Sequence, residues 1–266
     1  MRRPPGDGDG REVLYGVHPV LEALESGKRR VERVLVAREG GGAGLGRLLR
    51  RARETGVPVT HVPRGLLARK AGRGAVHQGV LAVVSAVAYA DPEEICRRAA
   101  AQGGVLVVLE RVSDPRNLGA VLRTAAAAGA AGVLLGGGES VGLTPVVAKA
   151  SAGAVERIPV AREVHIGRRI RALKEAGFRV VALDPAGDVP WDGADLTGRL
   201  VVVAGGEGPG LRPILRQAAD TRVSIPLEAG IESMNVSVAV GVVLFEAVRQ
   251  RRLASRRSLG SSVPDP

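Results

Sequence analysis

The sequence predicts an α/β fold in two blocks, the second built on a mostly parallel sheet. Three features predict it. Strand-like and helix-like segments alternate along the chain, the pattern of βα units around a parallel sheet. Two segments, VLVVLE (105–110) and the start of LVVVAGG (200–206), are apolar without a break, as strands buried on both faces must be. Polar or glycine-rich turns follow these runs directly, at the strand ends where open α/β sheets bind ligands.

In chain order, residues 1–11 are Gly, Pro and charge and read as a disordered tail. The first block covers 12–88. LYGVHPVLEAL (14–24) reads as a short strand entering a helix, VERVLVA (31–37) as a strand, and GGGAG (40–44) as a loop. Residues 45–55 read as a helix with Arg on its outer face, and VPVTHVP (57–63) and GVLAVVSAVAY (79–89) as strands. Residues 89–104 form a helical linker, with Asp91 as N-cap and Pro92 at the first helical position. The second block, 105–253, alternates strand 105–110, helix 117–128, strand 132–137, helices 145–154 and 166–176, strands 178–184, 200–206 and 222–227, and a long apolar helix 235–252. Residues 254–266 read as a second disordered tail.

Composition narrows the function classes. A chain of 266 residues, 45% hydrophobic and 24% charged, is ordinary for a globular protein. The single cysteine, Cys96, excludes an intrachain disulfide and points to the cytoplasm. The four histidines have no metal-ligand spacing, so no metal is expected. No apolar run reaches the length of a membrane span, and MRRPPGDGDGRE lacks the apolar stretch of a signal peptide. The net charge of +11 is uneven. Residues 1–90 carry 16 Lys/Arg against 8 Asp/Glu, 91–248 carry 17 against 18, and 249–266 carry 5 against 1. A surplus at the two ends suits a polyanion partner, and equally a merely solubilising surface.

Three clusters in the second block carry chemistry. In ERVSDPRNLGAVLRTAAAAG (110–129), Asn117 and Arg123 stand six apart near a helix start, a spacing that lets both face the loop end of the sheet; without function, Asn117 is an N-cap and Arg123 a solvated residue. In VVVAGGEGPGL (201–211), glycines let the backbone approach a ligand, and Glu207 is placed to hold an Arg or a cation. Pro209 and Pro213 rule out a dinucleotide fingerprint, and an ordinary tight loop is the bland alternative. In SIPLEAGIESMNVSVAVGVVLFEAVRQ (224–249), Ser233 or Asn235 can cap a helix apolar on several sides, which implies burial in the core or against a second subunit.

Together and in this order, these clusters resemble the SpoU/TrmH family of RNA 2′-O-methyltransferases. Asn117 and Arg123 match its first motif, GGEGPGL with Glu207 its second, and SMNVSVAVGVVLFE with Asn235 its third; KASAGAVERIPV (149–160) is also typical. LYGVHPVLEAL and VHQGVLAVV (76–84) resemble the small L30e-like α/β domain of the branch that methylates a guanosine of 23S rRNA. The resemblance implies a deep trefoil knot in the C-terminal domain, a rare topology. It implies S-adenosylmethionine (SAM) as cofactor, bent and held largely by backbone groups of Gly205, Ile225, Leu227 and Met234, where Leu is common in place of Met234. It implies Arg123 beside the substrate phosphate and 2′-hydroxyl, with Asn117 and Asn235 positioning, Glu207 holding the site together and Ser233 as a further candidate. It also implies a homodimer through the catalytic domain, and RNA contacts from His18, Arg64, Arg69, Lys70, Arg73 and His77, each individually plain surface by default. The alternatives are a tRNA methyltransferase, an rRNA methyltransferase that protects against an antibiotic, and a non-catalytic RNA-binding ribosome-assembly protein. Four intact polar motif residues argue against the last.

Overall fold

In a computed structural model the described residues are 11–39, 44–72, 74–206 and 210–260. By contact density the chain divides into two units. One holds 1–88 and 142–157, the other 89–141 and 158–266. The 142–157 segment is an excursion: the chain leaves the second unit, joins the first, and returns.

The first unit carries a four-stranded mixed sheet in the order β1 (Arg11–Tyr15), β4 (Val80–Ser85), β2 (Val31–Ala37), β3 (Val59–Val62). β4 runs antiparallel to both neighbours, while β2 and β3 are parallel. Leu35, Ala37, Val62, Leu67 and Leu81 form a small apolar core. α1 (Val17–Ser26) and α2 (Leu45–Glu54) lie against each other. α2 buries only Leu48 and Ala52 and keeps its other face for arginines, as expected. A helix not expected from sequence, α3 (Arg64–Ala71), is anchored by Leu67.

The 142–157 segment holds α6 (Pro145–Ala150) and a 3₁₀ turn, Ala154–Glu156, where one helix was expected. A buried ion pair ties it to the rest of this unit. Arg29 donates to Glu156 from Nε (2.8 Å) and from its terminal guanidinium nitrogen, and both side chains are 1% exposed. Glu12 lies 3.5 Å from the same guanidinium, and burial pushes its carboxyl above the usual range against the pull of Arg29. At the surface, Arg157 forks onto Glu22 at 2.6 and 2.8 Å.

The second unit is a seven-stranded parallel sheet. Its order is β7 (Val160–Glu163), β6 (Gly132–Gly136), β5 (Val105–Glu110), β10 (Leu200–Gly205), β8 (Arg179–Leu183), β11 (Thr221–Ser224), β9 (Val189–Pro190). β5 and β10 are central and buried along their length, which is why they are unbroken apolar runs. One face is covered by α4 (Pro92–Gln102), α7 (Ile166–Glu175) and α8 (Pro213–Ala218), whose Ile95, Ile170 and Leu215 share a core with Val108, Val180 and Val201. α5 (Pro115–Ala127) and α9 (Val236–Gly260) pair with each other, touching β6 and β10 respectively. Asp91 caps α4 through the Glu93 N–H at 3.0 Å, as the sequence indicates.

Two readings need correction. α9 runs on to Gly260, through residues assigned to a disordered tail; 261–266 lie outside the described residues. The cap of α5 is Asp114, which accepts from the Arg116 N–H at 2.7 Å with Pro115 at the first helical position, and not Asn117. An Asp-Pro start is the stronger signal: the carboxylate meets the free N–H groups, and proline has none to leave unpaired.

Candidate active site

The parallel sheet delivers the ends of β5, β10, β8 and β11 to one edge, and the polar loops there enclose a cleft of about 220 Å³. Its lining includes Gly205, Ile225, Leu227 and Met234, the four residues expected to hold the cofactor, together with Ser233. Leu183, Asp184, Pro185, Ala204, Leu211, Arg216, Val223, Val236 and Ala239 complete much of the remainder.

The glycines here are required by close approach. A Cβ on Gly205 would fall 2.4 Å from the Gly210 carbonyl carbon, and one on Gly206 would fall 1.9 Å from the Arg111 carbonyl oxygen. The β10 turn is fixed to the end of β5: Gly206 N–H donates to Glu110 O at 2.7 Å. The fully buried Glu110 carboxylate accepts from the Arg212 N–H at 3.1 Å and pairs with its guanidinium. This anchoring keeps backbone groups at the cleft wall without a bulky side chain in the way.

At the start of α9, Asn235 does two jobs. Its Oδ1 accepts from Ser237 N–H (2.8 Å) and Oγ–H (2.6 Å), capping the helix, and its Nδ2 donates to Asn117 Oδ1 at 3.0 Å. Asn117 is buried on the first turn of α5. The structure thus joins the first and third motifs side chain to side chain. Arg123 is placed differently from the expectation that it shares the loop end with Asn117. Six residues on, it lies about 9 Å further along α5 and about 120° around it. There it is exposed, with no hydrogen bond or ion pair among the described residues. Glu207 lies outside the described residues.

In the first unit, His18 is exposed at the start of α1, and Arg64, Arg69 and Lys70 are exposed on α3; Arg73 lies outside the described residues. His77 departs from its expected role as a surface contact. It is buried, its Nδ1 accepts the Gly79 N–H at 3.1 Å, and burial, assisted by the Arg64 guanidinium, holds its imidazole below the usual range. It builds the turn into β4. Sequence reading missed Lys149, whose amine is pushed below the usual lysine range by burial and lies 3.2 Å from Gln78 Oε1. The signal was present, since Lys149 opens the KASAGA segment and Gln78 follows His77.

Residues 104–245 match the model of the SpoU rRNA methylase family. The chain belongs to the SpoU family. Residues 13–90 match its companion, the RNA 2′-O-ribose methyltransferase substrate-binding domain. An uncharacterised tRNA/rRNA methyltransferase of Mycobacterium avium is 40% identical over 252 residues, spanning 94% of this chain and 81% of that protein. The SpoU methyltransferase AviRb of Streptomyces viridochromogenes, crystallised with AdoMet, superposes with a TM-score of 0.76 at 28% identity, covering 92% of this chain and 91% of that one. An AdoMet-bound rRNA methyltransferase of Sinorhizobium meliloti gives 0.74 at 27% identity, covering 91% and 88%. This SpoU protein is a SAM-dependent RNA 2′-O-methyltransferase. The cleft fits SAM: apolar Ile225, Leu227 and Met234 suit an adenine, the glycine cradle presents backbone, and the buried Asp184 Oδ2 lacks a hydrogen-bond partner among the described residues.

Proposed function

We propose that this SpoU enzyme methylates the 2′-hydroxyl of a guanosine in 23S rRNA. The observation that carries the site assignment is the Asn117–Asn235 hydrogen bond, formed on the unit whose parallel strand ends open the glycine-lined cleft. Gly205, Ile225, Leu227 and Met234 hold the cofactor. Bound SAM supplies a methyl group already activated by positive sulfur. The protein must then align the hydroxyl and manage its proton. Arg123 is permanently charged, so it orients the RNA phosphate and stabilises the developing alkoxide rather than acting as a base; its exposure leaves it accessible to an RNA backbone. Asn117 and Asn235 position the hydroxyl. Glu207 steadies the site, and Ser233 at the cleft rim is a further polar contact. The C-terminal domain forms the family's trefoil knot.

The chain acts in the cytoplasm as a homodimer through α9, a reading supported by Val238, Phe245 and Leu253, which stay about half exposed on that helix. His18, Arg64, Arg69, Lys70 and Arg73 grip folded rRNA through its backbone, in keeping with a 2% aromatic content that offers few stacking platforms. A relative named for both tRNA and rRNA keeps a tRNA target as the second reading.

Transfer of labelled methyl from SAM to unmodified 23S rRNA, with mapping of ribose methylation, tests this. One modified guanosine is the expected result. A different nucleotide, or methylation of tRNA alone, overturns the target. Arg123→Ala should abolish transfer while SAM still binds by calorimetry; loss of binding would make Arg123 structural.

A further inference from the structure

Asp184 directly follows β8 and Arg216 stands on α8, and both line the cofactor cleft. The Asp184 side chain is 3% exposed. Its Oδ1 accepts the Ala186 N–H at 3.0 Å. Its Oδ2 lies 3.3 Å from Arg216 Nε, yet the two are misaligned, so both are buried without a hydrogen-bond partner among the described residues. Buried polar atoms are nearly always satisfied, and two unsatisfied atoms of opposite charge on one cleft wall mark a place where a ligand completes the set. Arg216 makes no hydrogen bond among the described residues, and its side chain is 41% exposed where it lines the cleft.

We propose that Asp184 and Arg216 form a clamp for the zwitterionic amino-acid tail of the cofactor, Asp184 taking the ammonium and Arg216 the carboxylate. The inference rests on reading this cleft as the SAM site. Charge selects the tail over the other polar parts of the molecule. A ribose diol is neutral and brings no charge to either residue, and an adenosine phosphate suits Arg216 but is repelled by Asp184. A group bearing one charge of each sign satisfies both residues. The apolar residues Ile225, Leu227 and Met234, on other segments of the lining, are then left for the adenine.

Calorimetry of the full chain with two probes tests the clamp. S-adenosylhomocysteine carries the tail; 5′-methylthioadenosine keeps adenine, ribose and sulfur but lacks it. Arg216→Met and Asp184→Asn should each weaken S-adenosylhomocysteine by about 10- to 100-fold, the scale of a lost charge-assisted bond. Both should leave methylthioadenosine within about threefold, which also certifies that the cleft is folded. Asparagine keeps an oxygen for the Ala186 N–H. Equal weakening of both probes overturns the clamp, as does unchanged S-adenosylhomocysteine binding in either variant. Wild-type protein that binds neither probe overturns the cofactor reading of the cleft, and the clamp with it.

Discussion

Replacing Asn235 separates its two roles. The residue caps α9 through Ser237 and holds Asn117 at 3.0 Å. Asn235→Ala removes both. Loss of a cap costs about 1 kcal/mol, and loss of one neutral hydrogen bond to a buried partner about 1 kcal/mol. The variant should therefore unfold about 2 kcal/mol more easily, a change of about thirtyfold in the folding equilibrium. Asn235→Ser keeps a capping oxygen on a side chain too short to reach Asn117, so it should lose only about 1 kcal/mol. If the contact positions the reacting group as proposed, methyl transfer should fall about 100-fold in both. Stability is read in urea from Trp191, the chain's single tryptophan, which lies in the catalytic unit; transfer is read with labelled SAM. Asn235→Ser with wild-type transfer would refute the positioning role. Equal stability losses in the two variants would refute the capping role.

Three further outcomes rest on a close backbone approach, a buried ion pair and a capped carboxylate. Gly206→Ala drives a methyl into the Arg111 carbonyl, whose backbone cannot yield cheaply, so S-adenosylhomocysteine binding should be lost and unfolding eased by about 1–3 kcal/mol, by calorimetry and urea melts. Arg29→Met strands the buried Glu156 carboxylate, and the first unit should lose about 3–5 kcal/mol, seen as faster hydrogen exchange in 142–157; the double change Arg29→Met, Glu156→Leu should recover most of it. Asp195 is held at about 2, below its ordinary 3.8, chiefly by the Thr197 hydroxyl, with the Thr197 N–H and Arg179 assisting. A lowered carboxyl pKa favours the folded state above pH 3.8, and that advantage is lost as pH falls through about 2. Thr197→Ala should move the Asp195 carboxyl upward in an NMR titration and shrink that window.

The sheet was legible because β5 and β10 must be apolar on both faces, and the α4 start because Asp91-Pro92 is a local signal. β7 was hidden: an edge strand with Arg162 and Glu163 on it has no continuous apolar run. α3 carries arginine and lysine around a single buried leucine, too little pattern to declare a helix. At the site, motif order pointed to Gly205, Ile225, Leu227 and Met234, which line the cleft, but not to the bond between Asn117 and Asn235, 118 residues apart. The Asp184–Arg216 pair escaped for the same reason, since only folding brings β8's end to α8.

The excursion of 142–157 has a practical consequence. A truncation at residue 89 would resemble removal of a module, yet it would strip the excursion of Arg29 and Glu22 and leave Glu156 without its counter-ion. Anyone wishing to graft a new RNA-recognition domain onto this catalytic sheet must therefore transplant two stretches of sequence together. Selection acting on target choice is bound by the same seam, with one edge of the recognition domain encoded between β6 and β7.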